Sequence, residues 1–264
     1  MYTYDGEFIG KTFLITGSGK GLGSGFAVAA GQAGANVVVH YNSSEESAKE
    51  VFARVQATGC RCILVRVDLS EPDGPEKLFD AAIRAFGQVD VLVNNAALEY
   101  HKNFDGYDTE TIRHLFRVNL RGYTMMTHLA LPGMKERGFG RIINISSVHA
   151  KRPLTFDAGY GMTKGAVKML TRETAVELGQ FPDVTVNAIE LGSANNGRKT
   201  GDPKISFTEE EFRLPPLFRY RTFPGWKYRL EPEDIAPAVL FLASEGARHI
   251  CGASLRMDDA AMLV

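Results

Sequence analysis

The chain has 264 residues, 44% of them hydrophobic and 23% charged, with a formal net charge of -1, which suits one large α/β domain. Near-neutrality gives no electrostatic footprint for nucleic acid or an acidic membrane, and no apolar run approaches the ~20 residues of a membrane span. Three cysteines without paired spacing, six scattered histidines and an N-terminus (Met-Tyr-Thr-Tyr-Asp-Gly-Glu) without a signal-peptide pattern predict a cytoplasmic protein with reduced thiols and no metal centre.

The first predicted strand, 12–16, runs into Thr16-Gly17-Ser18-Gly19-Lys20-Gly21-Leu22-Gly23, and a helix over 22–33 follows. Glycines let a backbone turn sharply and approach a pyrophosphate, while the helix N-terminus offers free N–H groups to that anion. A strict Gly-x-Gly-x-x-Gly is absent; the spacing is Gly17-x-x-x-Gly21-x-Gly23. The second strand, 36–40, leads into Tyr41, Asn42 and Ser43, and the first acid is Glu45. An acid ~20 positions after the first glycine would hold an adenine ribose and favour NAD. Its absence, with Lys20 inside the loop to meet a 2′-phosphate, predicts a preference for NADP(H), with NAD(H) possible.

Further strands are expected over 62–67, 89–94, 141–146, 184–189 and 253–257, and helices over 45–57, 75–86, 109–135, 160–179 and 232–243. Continuous apolar runs such as Val37-Val38-Val39 and Val91-Leu92-Val93 suit a parallel sheet covered on both faces. Repeated βα units predict a doubly wound, Rossmann-type parallel sheet flanked by helices, in a single domain spanning 1–264. An irregular segment over about 193–230 is expected to be a substrate loop. Within it, Phe212–Arg229 carries Arg213, Arg219, Arg221, Lys227 and Arg229 among six aromatic residues and no acid.

Tyr160 and Lys164 lie four residues apart in Tyr-Gly-Met-Thr-Lys, with Ser147 thirteen residues upstream of the tyrosine. Four residues is close to one helical turn, so phenol and ammonium share a helix face. A fixed cation favours the phenolate and pulls its pKa down from ~10. A phenol tuned in this way can exchange a proton with an alcohol or carbonyl, and Ser147 is placed to hold the same oxygen.

The Thr16–Gly23 loop, Asp68, Asn94-Asn95-Ala96, Asn119, Ser147, Tyr160 and Lys164, in this order, resemble the short-chain dehydrogenase/reductase family over essentially the whole chain. The resemblance implies that Tyr160 is the general acid/base and that Lys164 lowers its pKa and holds the nicotinamide ribose. Ser147 would orient the substrate oxygen, and Asn119 would support a water in a proton relay or, alternatively, stabilise a helix distortion. It further implies cofactor contacts from Gly17, Ser18, Lys20, Gly21, Leu22, Gly23, Tyr41, Asn42, Ser43, Asp68, Leu69, Asn95, Ala96, Tyr160, Lys164, Gly192 and Asn196, with Asp68 meeting the adenine amino group. Of the doubled serines, the spacing to Tyr160 selects Ser147, with Ser146 ending the strand. The chain departs from the family pattern at Ala97, Leu191 and Asn196, where glycine, proline and threonine are usual.

Asn94–Glu99, Ser146–Pro153 and Tyr41–Glu46 are similar to the glucose 1-dehydrogenase branch of that family. That similarity makes Glu99, His149 and Lys151 candidate substrate contacts beside Ser147. The expectation is an oxidoreductase interconverting a secondary alcohol or hemiacetal and its carbonyl, on a sugar or sugar-derived small molecule. The alternatives are a 3-oxoacyl thioester reductase and a catalytically silent NADP(H)-binding sensor. The family implies a homotetramer built through the helices over 109–135 and 160–179.

Overall fold

The computed structural model describes residues 4–153, 156–194 and 230–258. Its centre is a seven-stranded sheet, all parallel, in the order β3-β2-β1-β4-β5-β6-β7. The strands are β1 (Thr12–Ile15), β2 (Asn36–Tyr41), β3 (Cys62–Arg66), β4 (Val91–Asn94), β5 (Gly140–Ser147), β6 (Val184–Leu191) and β7 (Ser254–Met257). Strand order reverses between β1 and β4, and in open α/β sheets ligands bind at the carboxyl ends of strands at such a switch. The Gly17 loop and Asn95 therefore meet at the mouth of a crevice.

The continuous apolar strands bury both faces. Phe13, Ile15, Val37, Val39, Val91, Val93, Ile143, Ile145 and Ile189 pack on one side, with Phe26, Ala27 and Ala30 of α1 (Gly21–Gln32) and Val51 and Val55 of α2 (Glu45–Gln56). Leu14, Val38, Leu92, Ile142 and Val186 face the opposite way, onto Leu78 and Ala82 of α3 (Gly74–Phe86). The period of two along each strand sorts these sets. At roughly 25 cal/mol per Å² of apolar surface removed from water, this double core is what holds the strand ends in fixed relation.

The helix expected over 109–135 is three segments. Helix α4 (Thr109–Phe116) passes into a wider π-helical turn, Arg117–Gly122, and α5 (Tyr123–Arg137) follows. The Asn119 side chain sits in the turn: its Oδ1 accepts from Leu98 N at 2.7 Å, and its Nδ2 donates to Leu98 O at 2.7 Å and Thr163 Oγ1 at 3.1 Å. An amide bonded to a loop and to a neighbouring helix holds the distortion in place. Helix α6 (Ala158–Glu177) and α7 (Pro232–Ala243) complete the set. Strand β5 runs through Ser147, so Ser147, and not Ser146, ends it; pairing with β6 continues to Ser147↔Leu191. No helix among the described residues is long and apolar enough to cross a membrane.

The segment expected to be irregular lies mostly outside the described residues, as do Asn196 and the whole of 212–229. Its two described ends are pinned together: Ala194 bridges Leu230, and Leu230 N donates to Ser193 O at 2.9 Å.

Candidate active site

The glycine loop is shaped by contacts that exclude side chains. Gly17 has φ +65, and a Cβ there would lie 2.8 Å from Ala96 Cα. A Cβ on Gly23 would meet Asn95 Nδ2 at 2.6 Å and Gly17 O at 2.8 Å. Asn95 ties the ends of β1 and β4 together, with Nδ2 donating to Thr16 O at 2.9 Å and to Gly17 O at 3.2 Å. Thr16 Oγ1 accepts from Asn95 N at 2.9 Å and Ala96 N at 3.0 Å. Thr16 is thus a hub that sequence reasoning did not single out. The loop leads into the first turn of α1, where Gly21 and Leu22 carry backbone N–H groups that a helix N-terminus leaves unpaired. Bare backbone over a helix N-terminus is a cradle that fits a pyrophosphate.

At the end of β2, Tyr41 is half-buried while Asn42, Ser43 and, in the loop, Lys20 are exposed. Asn42 Nδ2 donates to Asp68 Oδ2 at 2.9 Å, and Ser70 N donates to Asp68 Oδ1 at 2.8 Å. Burial opposes ionisation of Asp68, but the bonds from Ser70 and Asn42 outweigh it and hold its pKa below the usual value. Asp68 caps the turn at Ser70, and Leu69 beside it is buried. Arg66, the last residue of β3, donates from Nε to Asn42 O at 3.2 Å. A cation therefore lies beside Asn42. Sequence reading missed it because Arg66 is 24 positions from Asn42 and only the β2–β3 register brings them together. Gly192 N donates to Met257 O at 2.8 Å, and a Cβ on Gly192 would lie 2.9 Å from Asp258 Cα.

The structure brings Tyr160 and Lys164 together, along with a second tyrosine. Lys164 is buried, and its Nζ donates to Ile145 O at 2.7 Å and Tyr123 Oη at 3.3 Å. The same Nζ lies 5.4 Å from the Tyr160 ring centroid and 5.1 Å from that of Tyr123. Burial pulls the Lys164 pKa down to about 7, with the Glu99 carboxylate working against that fall. Tyr123 is fully buried, and desolvation, aided by the charge of Tyr160, raises its pKa well above 10. Burial disfavours its phenolate and seals it from a substrate, which makes it the poorer acid/base of the two. Tyr160 is only partly buried, so of the two it is the one open to a substrate.

The two serines divide as their strand alternation requires. Ser146 Oγ donates to Lys164 O at 3.3 Å. Ser147 Oγ accepts from His149 N at 3.2 Å and has a long, 3.5 Å contact to Leu191 O. Behind them, Asn94 Nδ2 donates to Asn144 Oδ1, and Asn144 Nδ2 to Thr171 Oγ1, both at 2.9 Å. This buried chain of bonds links β4, β5 and α6 and fixes α6 in register with the strand that carries Ser147.

Two of the three candidate substrate contacts come together. Glu99, His149 and Asp157 place ligand-type atoms within 4.8 Å of one another. His101 Nδ1 lies 2.6 Å from Asp157 Oδ1, and its Nε2 lies 3.8 Å from Glu99. The His149 ring stands edge-on to Tyr160 at 5.6 Å between centroids. Desolvation lowers the His149 pKa, while Asp157 and Glu99 oppose the fall. Asp157, three residues before Tyr160, and His101 escaped sequence reading because neither belongs to a spacing pattern. Lys151 is engaged elsewhere: its Nζ lies 3.0 Å from the buried Glu190 Oε2, and Lys168 Nζ lies 2.9 Å from Oε1.

Residues 11–200 match the family model described as short chain dehydrogenase. The chain is 37% identical over 259 residues to 3beta-hydroxysteroid dehydrogenase 1 of Eggerthella lenta, covering 97% of this chain and 94% of that protein. It is 30% identical over 260 residues to glucose 1-dehydrogenase 2 of Bacillus subtilis, covering 96% and 95%. A solved angucycline C-6 ketoreductase with bound NADP superposes with a TM-score of 0.84 at 31% identity, over 100% of both chains. The chain belongs to the short-chain dehydrogenase/reductase family and is an oxidoreductase interconverting alcohols and carbonyls.

Proposed function

We propose that this enzyme prefers NADP(H) and acts on the secondary hydroxyl or hemiacetal of a polyhydroxylated, sugar-like substrate, with Tyr160 as general acid/base. The observation that carries the reading is the choice between two tyrosines at one buried lysine: Tyr123 is sealed and held neutral, and Tyr160 is open. A nicotinamide cofactor bound over the glycine loop supplies or accepts the hydride. The residues of this chain handle the proton. In oxidation Tyr160 Oη takes the hydroxyl proton, and in reduction it returns a proton to the carbonyl oxygen. Lys164, poised between ammonium and amine near neutrality, stabilises the phenolate in its charged form. Among the described residues Ser147 has the long Leu191 contact alone for its hydroxyl proton, so it can donate to the substrate oxygen. The Asn119 side chain uses three of its four hydrogen-bonding positions in holding the π turn, which favours the structural of its two roles.

Three features support the NADP(H) preference: no acid stands at 42–44, directly after β2, Lys20 is exposed in the loop, and Arg66 lies on Asn42. Positive charge there suits a 2′-phosphate. The NADP-bound ketoreductase is consistent with this. For the substrate, the Glu99–His101–Asp157–His149 cluster offers acceptors to several hydroxyls, which favours a sugar and argues against a 3-oxoacyl thioester. A second reading, a hydroxysteroid or other polycyclic alcohol, rests on the 37%-identical hydroxysteroid dehydrogenase. A silent sensor would have no need of the proton-transfer geometry. We further propose a homotetramer, supported by the apolar stripe that α6 exposes: Met162 at 45%, Met169 at 51% and Val176 at 80%.

The test is turnover on a panel of sugars, 3-hydroxysteroids and 3-oxoacyl thioesters with both cofactors. Preferred turnover of sugars with NADP supports the proposal. Preferred turnover of a steroid establishes the second reading, and a strong preference for NAD overturns the cofactor assignment.

A further inference from the structure

A residue of the neighbouring strand holds three members of the glycine loop. His40, the fifth residue of β2, is buried, and four of its polar atoms are engaged. Its backbone N donates to Ser18 Oγ at 2.9 Å, and its carbonyl accepts from Gly19 N at 3.0 Å. In the ring, Nδ1 lies 2.9 Å from Gly17 N, and Nε2 lies 3.0 Å from Val67 O. The tautomer follows from chemistry. Gly17 N–H can only donate and Val67 O can only accept, so Nε2 carries the proton and Nδ1 is a bare acceptor. Ser18 Oγ passes the chain of bonds on to Ile15 O at 2.7 Å. One side chain and its peptide groups thus fix three consecutive loop residues and join them to the end of β3.

A loop with glycine at 17, 19, 21 and 23 has little conformational preference of its own. We propose that His40 is a positioning residue for the cofactor: its Nδ1 holds the Gly17 peptide, and through it the glycine loop, in the shape that receives the pyrophosphate. This inference rests on the nicotinamide-cofactor reading above. It assigns His40 no contact with the cofactor, so its effect is on affinity and not on the chemical step. Burial also pulls the ring pKa down to about 4, against the opposing bond to the Val67 carbonyl and the charge of Asp68 beyond β3, the charged group among the described residues that acts on it. The acceptor is therefore present throughout the neutral range, and a protonated ring would set Nδ1–H against Gly17 N–H.

Asparagine places Oδ1 the same number of bonds from the backbone as histidine Nδ1, whereas leucine places a methyl group there. The experiment compares wild type, His40→Asn and His40→Leu by fluorescence titration with NADPH and NADH and by steady-state kinetics. His40→Asn is expected to keep cofactor Kd within about threefold of wild type, a change smaller than one hydrogen bond gives. His40→Leu is expected to raise cofactor Kd and KM by about tenfold or more, with kcat little changed. Equal Kd in His40→Leu and wild type overturns the inference, as does an Asn variant as weak as the Leu variant, or a fall in kcat with unchanged cofactor KM. If His40→Leu does not fold, the pH profile of affinity decides between the other two. Wild type should weaken below about pH 5 as Nδ1 takes up its proton, while His40→Asn lacks that loss; parallel profiles overturn the inference. A wild type that binds neither nicotinamide overturns the cofactor reading itself, and this inference with it.

Discussion

At the scale of the residue, the question is which of two phenols beside Lys164 moves the proton. Removing the hydroxyl of Tyr160 deletes the acid/base, so Tyr160→Phe should lower kcat by about 10³-fold, within the range for general acid–base catalysis, while cofactor titration is unchanged. Tyr123→Phe removes the acceptor for Lys164 Nζ and the bond that the hydroxyl donates to Ile145 O, neither of which touches the substrate, and should cost kcat less than about tenfold. Equal losses in the two variants would refute the assignment. His40 gives a second prediction, about pH. Its folded pKa of about 4 lies below the ordinary 6.5. As pH falls through 6.5 the unfolded chain takes up a proton that the folded chain refuses until about 4. The stability contribution is intact above 6.5 and is lost over that window, by up to about 3 kcal/mol. Urea unfolding at neutral pH and near pH 4.5 should show a larger loss in wild type than in His40→Asn.

At the scale of the element, the glycine loop and the broken helix show two kinds of legibility. The loop could be read because glycine is nearly the only residue that tolerates its geometry. Gly17→Ala puts a Cβ at 2.8 Å from Ala96 Cα in a positive-φ conformation. It should destabilise the fold by about 2 kcal/mol or more, seen in thermal unfolding, and weaken cofactor binding in the same variant. The π turn at Arg117–Gly122 could not be read. The apolar pattern continues across it, and its cause is a bond from Asn119 to Leu98, 21 positions away. Strand ends were legible only to within a residue or two. Ser147 closes β5 because β6 goes on pairing with it, and a single sequence does not show where a partner strand stops.

At the scale of the whole molecule, β1 and β4 are neighbours although two βα units separate them in sequence, and this opens the crevice over which Thr16, Asn95 and the glycine loop meet. On the outside, Met162, Met169 and Val176 recur every seven residues along α6, which is two helical turns and therefore one face. Buried in a subunit contact, this face would explain why the helix carrying Tyr160 and Lys164 exposes large apolar side chains. Met169→Glu should then shift the assembly to a smaller species in light scattering or sedimentation. A tetramer of unchanged mass and stability would place the interface elsewhere.

The sequence by itself determined the parallel sheet, the glycine loop and the Tyr160–Lys164 pairing, because each is encoded locally: apolar runs, glycines where no Cβ fits, and a four-residue spacing on one helix. Tertiary structure alone decided that Tyr123 is a sealed neighbour of Lys164, that Lys151 belongs to Glu190, and that Arg66 lies on Asn42. It also gathered Glu99, His101, His149 and Asp157 around the tyrosine and turned His40 onto Gly17. These facts depend on strand register and on burial, which set contact and pKa across tens of residues and leave no periodic trace in the chain.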